Sequence, residues 1–366
     1  MAIHRLNLIS LRNHKESEFS FSPGVTVIWG ENGSGKTAVL EAINTLSFGQ
    51  SFKTHRQREL INTEKKELFI RGEFFTRGQE DHVAAKISKI SGQAIKLNGK
   101  NVHKRKDLLG RNIVVVLSPE EQDITKGPPI ERRKFFDRIF SIVSPEYLKT
   151  LQGYSRTLKQ RNSALIQLRE NKITKEGLET WTRPLALYGT RLWGLRCKFM
   201  TDFKVLHAKA SKQYDREIKT EIIYQHHGNN QEEYIEKLEK TIKRDLVLGR
   251  TEHGPHRDDV LAMWSGRNIK TFGSQGEHKL CLILLKLAEL FFIKEKTGKT
   301  PTLLLDDLFD KLDLDRCKSI VRLLQEFETV SGHPVQTIVT TTDLINVEQS
   351  GLMSNIHDHR TYHLER

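Results

Sequence analysis

Eight residues, Gly30-Glu31-Asn32-Gly33-Ser34-Gly35-Lys36-Thr37, fit the pattern G-x-x-x-x-G-K-[ST] and dictate the structure around them. The β-branched run Val25-Thr26-Val27-Ile28-Trp29 precedes them. Ala38 to Leu46 follows, with Val39, Leu40, Ile43 and Leu46 on one helical face. Strand, glycine loop and helix in that order let backbone amides wrap a phosphate at the positive end of a helix. Lys36 is then expected on the β- and γ-phosphates and Thr37 on Mg²⁺. The pattern predicts a site for a nucleoside triphosphate.

The remaining chain predicts an α/β fold built from two distant sequence halves. Strand-like segments dominate from Leu68 to Leu117. Ala94-Ile95-Lys96-Leu97, Asn98-Gly99 and Lys100-Asn101-Val102 read as a hairpin, because Asn-Gly suits a type I′ turn. Residues 130–248 read as helical, with Tyr147, Leu151, Tyr154, Leu158, Leu165 and Leu168 forming a stripe that Arg161 interrupts. From 249 strand and helix alternate again. The expected domains are therefore 1–129 with 249–366, enclosing an inserted helical lobe at 130–248.

Lysine and arginine exceed aspartate and glutamate by 13 charges, which favours a polyanionic partner. The three cysteines, Cys197, Cys281 and Cys317, are far apart and form no C-x-x-C. That excludes a disulfide framework and a cysteine-rich zinc site, and it fits a reducing compartment. No signal-peptide pattern opens the chain, and the apolar stretch from Leu280 to Ile293 is broken by Lys286 and Glu289. A cytoplasmic protein with no membrane partner is expected.

Thr302-Leu303-Leu304-Leu305 predicts a buried strand ending in Asp306-Asp307. Asp306 suits the acid that holds the metal opposite the phosphate loop, and Asp307 could orient or deprotonate an attacking water. Upstream, Phe272-Gly273-Ser274-Gln275-Gly276-Glu277 opens a helix with a hydroxyl and free amides. A second phosphate-recognising helix start suggests a nucleotide clamped between two subunits.

Phosphate loop, distant Ser-Gln-Gly signature and Leu-Leu-Leu-Asp-Asp together resemble the ABC ATPase heads of the SMC-like DNA-repair class. Within it the chain resembles the RecF family of bacterial recombination mediators. Leu8-Ile9-Ser10-Leu11-Arg12-Asn13-His14, Glu41-Ala42-Ile43 with Ser51-Phe52-Lys53, and Ser118-Pro119-Glu120 with Glu131-Arg132-Arg133 match its patterns in order. Gly254-Pro255-His256-Arg257-Asp258-Asp259 is the most specific match. The resemblance implies a mixed sheet with helices, an antiparallel β subdomain, and ATP with Mg²⁺ as the cofactors. It assigns Lys36, Asp306 and Asp307 to catalysis and Thr37 and Asp306 to Mg²⁺. Arg12, Asn13, the loop from Gly30 to Thr37, and Thr342 fall to ATP, the last in the switch segment Thr340-Thr341-Thr342-Asp343. Ser274, Gln275, Gly276 and Glu277 fall to the partner's ATP. Glu277 departs from the family's usual glutamine, and an extra carboxylate there would weaken closure unless it points away.

The resemblance further implies an ATP-dependent homodimer with weak ATPase activity, acting in gap repair with RecO and RecR mediators. Its DNA would be double-stranded, including single/double-strand junctions. Lys53, Arg56, Lys100, Lys104, Arg105 and Lys106 are the candidate phosphate contacts, and ten Lys/Arg against four Asp/Glu in 131–172 add to the basic balance. No base-reading helix is evident, so binding is expected to be sequence-independent and salt-sensitive. A transporter motor would carry its signature far closer to the phosphate loop, with a switch histidine. An SMC head would need long heptad arms.

Overall fold

The computed structural model describes every residue except 1, 77, 216, 227, 229, 310, 311, 332–334, 355–357 and 366. Internal contacts divide the chain into two compact units, Met1–Gln122 with Lys286–Arg366, and Asp123–Leu285.

The first unit holds two sheets. One is parallel throughout, in the order His359–Leu364, Val25–Gly30, Thr337–Thr341, Thr302–Asp306 and Val114–Leu117. Its three inner strands and Val114–Leu117 are β-branched or leucine-rich and almost entirely buried, as parallel strands covered on both faces must be. The other sheet is antiparallel, in the order His14–Ser20, Ala2–Leu11, Glu67–Thr76, Gln79–Ser88, Gly92–Leu97 and Lys100–Asn101. Asn98 and Gly99 both have positive φ, +49° and +79°, which is the type I′ turn the dipeptide predicts.

The helix Lys36–Phe48 packs on strands of both sheets. Every one of its residues except Thr37 is buried, so it is enclosed all round and not merely amphipathic. That enclosure fixes the phosphate loop in front of it.

The second unit contains the helices Pro129–Val143, Pro145–Arg169, Lys175–Tyr214, Gln231–Lys240 and Ile242–Leu248. It also contains an antiparallel sheet in the order Arg267–Asn268, Asp259–Trp264, Thr220–Gln225. The sequence reading expected only helices in 130–248. Thr220–Gln225 departs from that because Ile222, Ile223 and Tyr224 are strand-formers that pair along Asp259–Trp264. The segment 249–285, read from sequence with the nucleotide half, is counted here with the helices. The helix Gln275–Thr297 runs through the division between 285 and 286.

Arg161, the apparent break in the apolar stripe, is fully buried. Its Nη1 donates to Asp245 Oδ2 at 2.8 Å and Thr251 Oγ1 at 2.7 Å, and its Nε to Thr182 Oγ1 at 3.2 Å. A charge so placed persists only because its countercharge and hydrogen bonds are built in.

The Gly254-Pro255-His256-Arg257-Asp258-Asp259 block does similar work. Asp258 accepts from Trp193 Nε1 at 3.0 Å, Arg196 Nη1 at 3.0 Å and the Tyr224 hydroxyl at 2.5 Å. Asp259 takes both arms of Arg132, at 2.8 and 2.9 Å. His256 bonds the Tyr154 hydroxyl at 2.6 Å and the Thr251 carbonyl at 2.9 Å. Arg133 donates to the Asp258 carbonyl at 2.6 Å. Arg132 and Arg133 are thus engaged inside the unit, while Arg257 pairs with Glu252 near the surface.

Candidate nucleotide site

The loop takes its shape from three glycines with positive φ: Gly30 at +149°, Gly33 at +89° and Gly35 at +101°. Gly30 also has no room for a side chain, since a Cβ there would lie 2.2 Å from the Leu364 carbonyl oxygen. Gly35 caps the helix Lys36–Phe48 without any side-chain bond, which leaves the helix's first amides open. Ser34 Oγ is buried and has no hydrogen-bond partner. Open amides and an orphaned hydroxyl at a positive helix end fit a phosphate.

Lys36 Nζ donates to the carbonyls of Gly30 at 2.8 Å and Glu31 at 2.9 Å. Two side chains from the turn and strand after Leu11 hold the loop from the other side. Asn13 Nδ2 donates to the Gly33 carbonyl at 3.0 Å, and His14 Nε2 meets the Gly35 carbonyl at 3.1 Å. Burial lowers the His14 pKa and favours the neutral ring. A carbonyl only accepts, so the proton sits on Nε2 and Nδ1 accepts from Ser17 Oγ at 2.9 Å.

Thr37 and Asp306, read from sequence as the Mg²⁺ residues, lie side by side. Thr37 Oγ1 donates to Asp306 Oδ1 at 2.8 Å. Thr340 Oγ1 also donates to Asp306 Oδ1, at 2.9 Å, and Ser118 Oγ to Oδ2 at 3.2 Å. A buried carboxylate beside a loop hydroxyl is the donor set a Mg²⁺ ion takes next to phosphates, so the residues fit the ion. Asp307 has φ +48°, costly for a non-glycine residue, and its amide is held by the Thr340 carbonyl at 3.1 Å. That backbone strain accompanies a carboxylate that lines the cavity.

The cavity has a volume of about 300 Å³, and Arg12, Asn13, Asn32, Lys36, Thr37 and Asp307 are among its walls. Lys53, read from sequence as a DNA contact, lines the same cavity, its Nζ 3.6 Å from Glu120. Thr342 is exposed beyond the strand Thr337–Thr341 and is not among the lining residues. His14, Ser118 and Thr340 were not singled out from the sequence. Thr340 was detectable as the parallel-register neighbour of Asp306, whereas Ser118 depends on pairing with a distant strand.

The remaining basic candidates lie elsewhere on the first unit. Arg105 packs on Gly49, the C-cap of the helix Lys36–Phe48, and donates to Gln50 at 3.1 Å. Arg56 is 86% exposed beside Glu59, and Lys100, Lys104 and Lys106 are exposed.

In the second unit the signature residues form a reciprocal cap. The Ser274 amide donates to Glu277 Oε2 at 2.7 Å, and the Glu277 amide to Ser274 Oγ at 3.3 Å. Glu277 therefore folds back onto its own helix start. Gln275 and Gly276 open the helix beside this cap, and His278 is buried behind Gly273.

The RecF/RecN/SMC N-terminal domain family matches residues 2–362. The DNA replication and repair protein RecF of Alkaliphilus oremlandii (strain OhILAs) is 33% identical over 352 residues, covering 93% of each chain. That of Clostridium novyi (strain NT) is 32% identical over 354 residues, covering 95% of each. A solved structure of the recombination mediator protein RecF with ATP in the RecFOR pathway superposes with a TM-score of 0.84 at 28% identity, covering 99% of this chain and 95% of that one. An Smc head bound to the winged-helix domain of ScpA reaches 0.54 at 18% identity, covering 95% and 92%, and shares the fold alone.

Proposed function

Since the chain belongs to the RecF family of DNA replication and repair proteins, we propose that it is an ATP-dependent, sequence-independent DNA-binding protein of recombinational gap repair. It is an ABC-type ATPase. The observation that carries the nucleotide reading is the glycine loop with open amides and an orphaned Ser34 hydroxyl, set beside the Thr37–Asp306 pair.

Gly30 to Thr37 cradle the triphosphate, and Lys36 leaves its two carbonyls for the phosphate oxygens. Thr37 and Asp306 hold Mg²⁺, which when bound neutralises charge on the β- and γ-phosphates. Arg12 and Asn13, in the turn between the strands Ala2–Leu11 and His14–Ser20, and Lys53, in the loop after the helix Lys36–Phe48, face the same cavity. Asp307 positions the attacking water and accepts its proton. Being a methylene shorter than glutamate, it makes for slow turnover, which suits a timer more than an engine.

The signature Ser274-Gln275-Gly276-Glu277 belongs functionally with this head, against the nucleotide of a second copy, so ATP promotes dimerisation. The self-cap of Glu277 supports this, because a carboxylate turned onto its own helix is kept from the incoming phosphate. Arg56, Lys100, Lys104, Arg105 and Lys106 are exposed cations available to duplex phosphates, at junctions as elsewhere, and RecO- and RecR-type mediators complete the pathway.

Light scattering and DNA titration with and without ATP·Mg²⁺ test this reading. The expected result is a dimer and tighter DNA binding only with ATP, both lost in Lys36→Met. If Lys36→Met dimerises and binds DNA as the wild type does with ATP, the clamp is ruled out.

A further inference from the structure

Glu41 lies on the helix that follows the phosphate loop, is 1% exposed, and stands in the wall of the nucleotide cavity with no role yet assigned to it. Three bonds from two other segments end on it. Arg12 donates Nε to Oε2 at 2.6 Å and Nη2 to Oε1 at 2.9 Å, a fork on a carboxylate. Ser51 Oγ donates to Oε1 at 2.6 Å. Ser51 Oγ in turn accepts the amides of Lys53 at 3.0 Å and Thr54 at 3.2 Å, and Thr54 Oγ1 accepts the Arg56 amide at 3.0 Å. Arg12, with φ +49°, is itself held by its amide on the Leu60 carbonyl and by Asn62 on its own carbonyl.

We infer that Glu41 is a positioning residue, setting both Arg12 and the Ser51–Arg56 loop against the triphosphate from one buried carboxylate. Arg12 and Lys53 are the two cations in the cavity wall that come from outside the phosphate loop. Neither is rigid alone: arginine and lysine side chains lose much rotamer freedom when they engage a ligand. Glu41 removes that freedom from Arg12 before the ligand arrives and fixes the backbone that carries Lys53, and it does so from the helix whose first turn cradles the phosphates. The same carboxylate ties the nucleotide cavity to the loop carrying Arg56, a candidate DNA contact. The inference rests on the nucleotide reading of this cavity.

Fluorescence titration with a methylanthraniloyl-ATP probe and Mg²⁺, paired with thermal melting, tests it. Glu41→Gln keeps the shape and removes the charge that the arginine fork requires. It is expected to weaken the probe about tenfold, the scale of one charge-assisted hydrogen bond. Arg12→Ala is expected to weaken it comparably, and the double variant to lose only the loop's severalfold share beyond Arg12→Ala, well short of the sum of the two losses, because the arginine part is shared. If Glu41→Gln melts as a folded protein and binds like the wild type, or if the two losses simply add, the inference is overturned. Should Glu41→Gln not fold, Ser51→Ala carries the test, since it frees the Lys53 loop and leaves the arginine fork intact. A severalfold loss supports the inference, and an unchanged affinity removes it. A wild-type protein that fails to bind the probe overturns the nucleotide reading as well, which separates the two failures.

Discussion

The second unit's buried arginines and the phosphate loop's buried lysine use charge in opposite ways. In the second unit Arg161 meets Asp245, Arg196 meets Asp137 and Asp258, and Arg132 meets Asp259. Each cation there is matched by a carboxylate. In the first unit Lys36 is 4% exposed yet rests only on two backbone carbonyls, beside a hydroxyl with no partner. A matched charge holds architecture together, whereas an undermatched one in a cavity is waiting for an anion.

Asp258→Asn should break this contrast most severely, on the side of architecture. An amide cannot serve Trp193, Arg196 and Tyr224 together, and it leaves Arg196 short of a countercharge. A loss of about 3–5 kcal/mol is expected in urea unfolding, with ATP affinity of the surviving fold unchanged. Lys36→Met gives the mirror image, about a hundredfold loss of ATP affinity by calorimetry with little change in melting.

Acid should sharpen the contrast further. His207 and His256 are buried in the second unit and burial lowers each pKa to about 4, against 6.5 when exposed. Between those values the unfolded chain takes up protons that the folded chain refuses, so stability falls as pH drops through that window. From pH 7 to 5 each histidine removes about 2 kcal/mol, and His207→Leu should abolish its share of the slope in urea melts.

Smaller effects concern surfaces. Lys104→Glu with Lys106→Glu is expected to lower the salt dependence of duplex binding by about two counterions, measured by titration at several ionic strengths. Glu277→Gln should tighten the ATP-dependent dimer only about threefold in sedimentation, since an exposed charge at a helix start is worth under about 1 kcal/mol. An unchanged dimer would show that the capping carboxylate does not oppose closure.

Local patterns were legible in the sequence and nonlocal pairings were not. The phosphate loop, the Asn98-Gly99 turn and the strand ending in Asp306 are each specified by a few consecutive residues. Arg161 looked like a flaw in a helix because its partner Asp245 is more than eighty positions away. The strand Thr220–Gln225 was hidden among helices because it is stabilised by pairing with Asp259–Trp264. Lys53 read as one more surface cation until the Ser51–Glu41 bond brought its loop to the cavity. The Gly254–Asp259 block was conspicuous as a motif, but only its contacts reveal that Asp258 and Asp259 neutralise the buried arginines.

The Leu364 carbonyl, standing where a side chain on Gly30 would need to be, has a practical corollary. An affinity tag or fluorescent fusion joined just past Leu364 would leave from the strand that backs the phosphate loop. Preparations labelled there would measure the linker along with the protein, and attachment through the exposed turn at Ile90 would not.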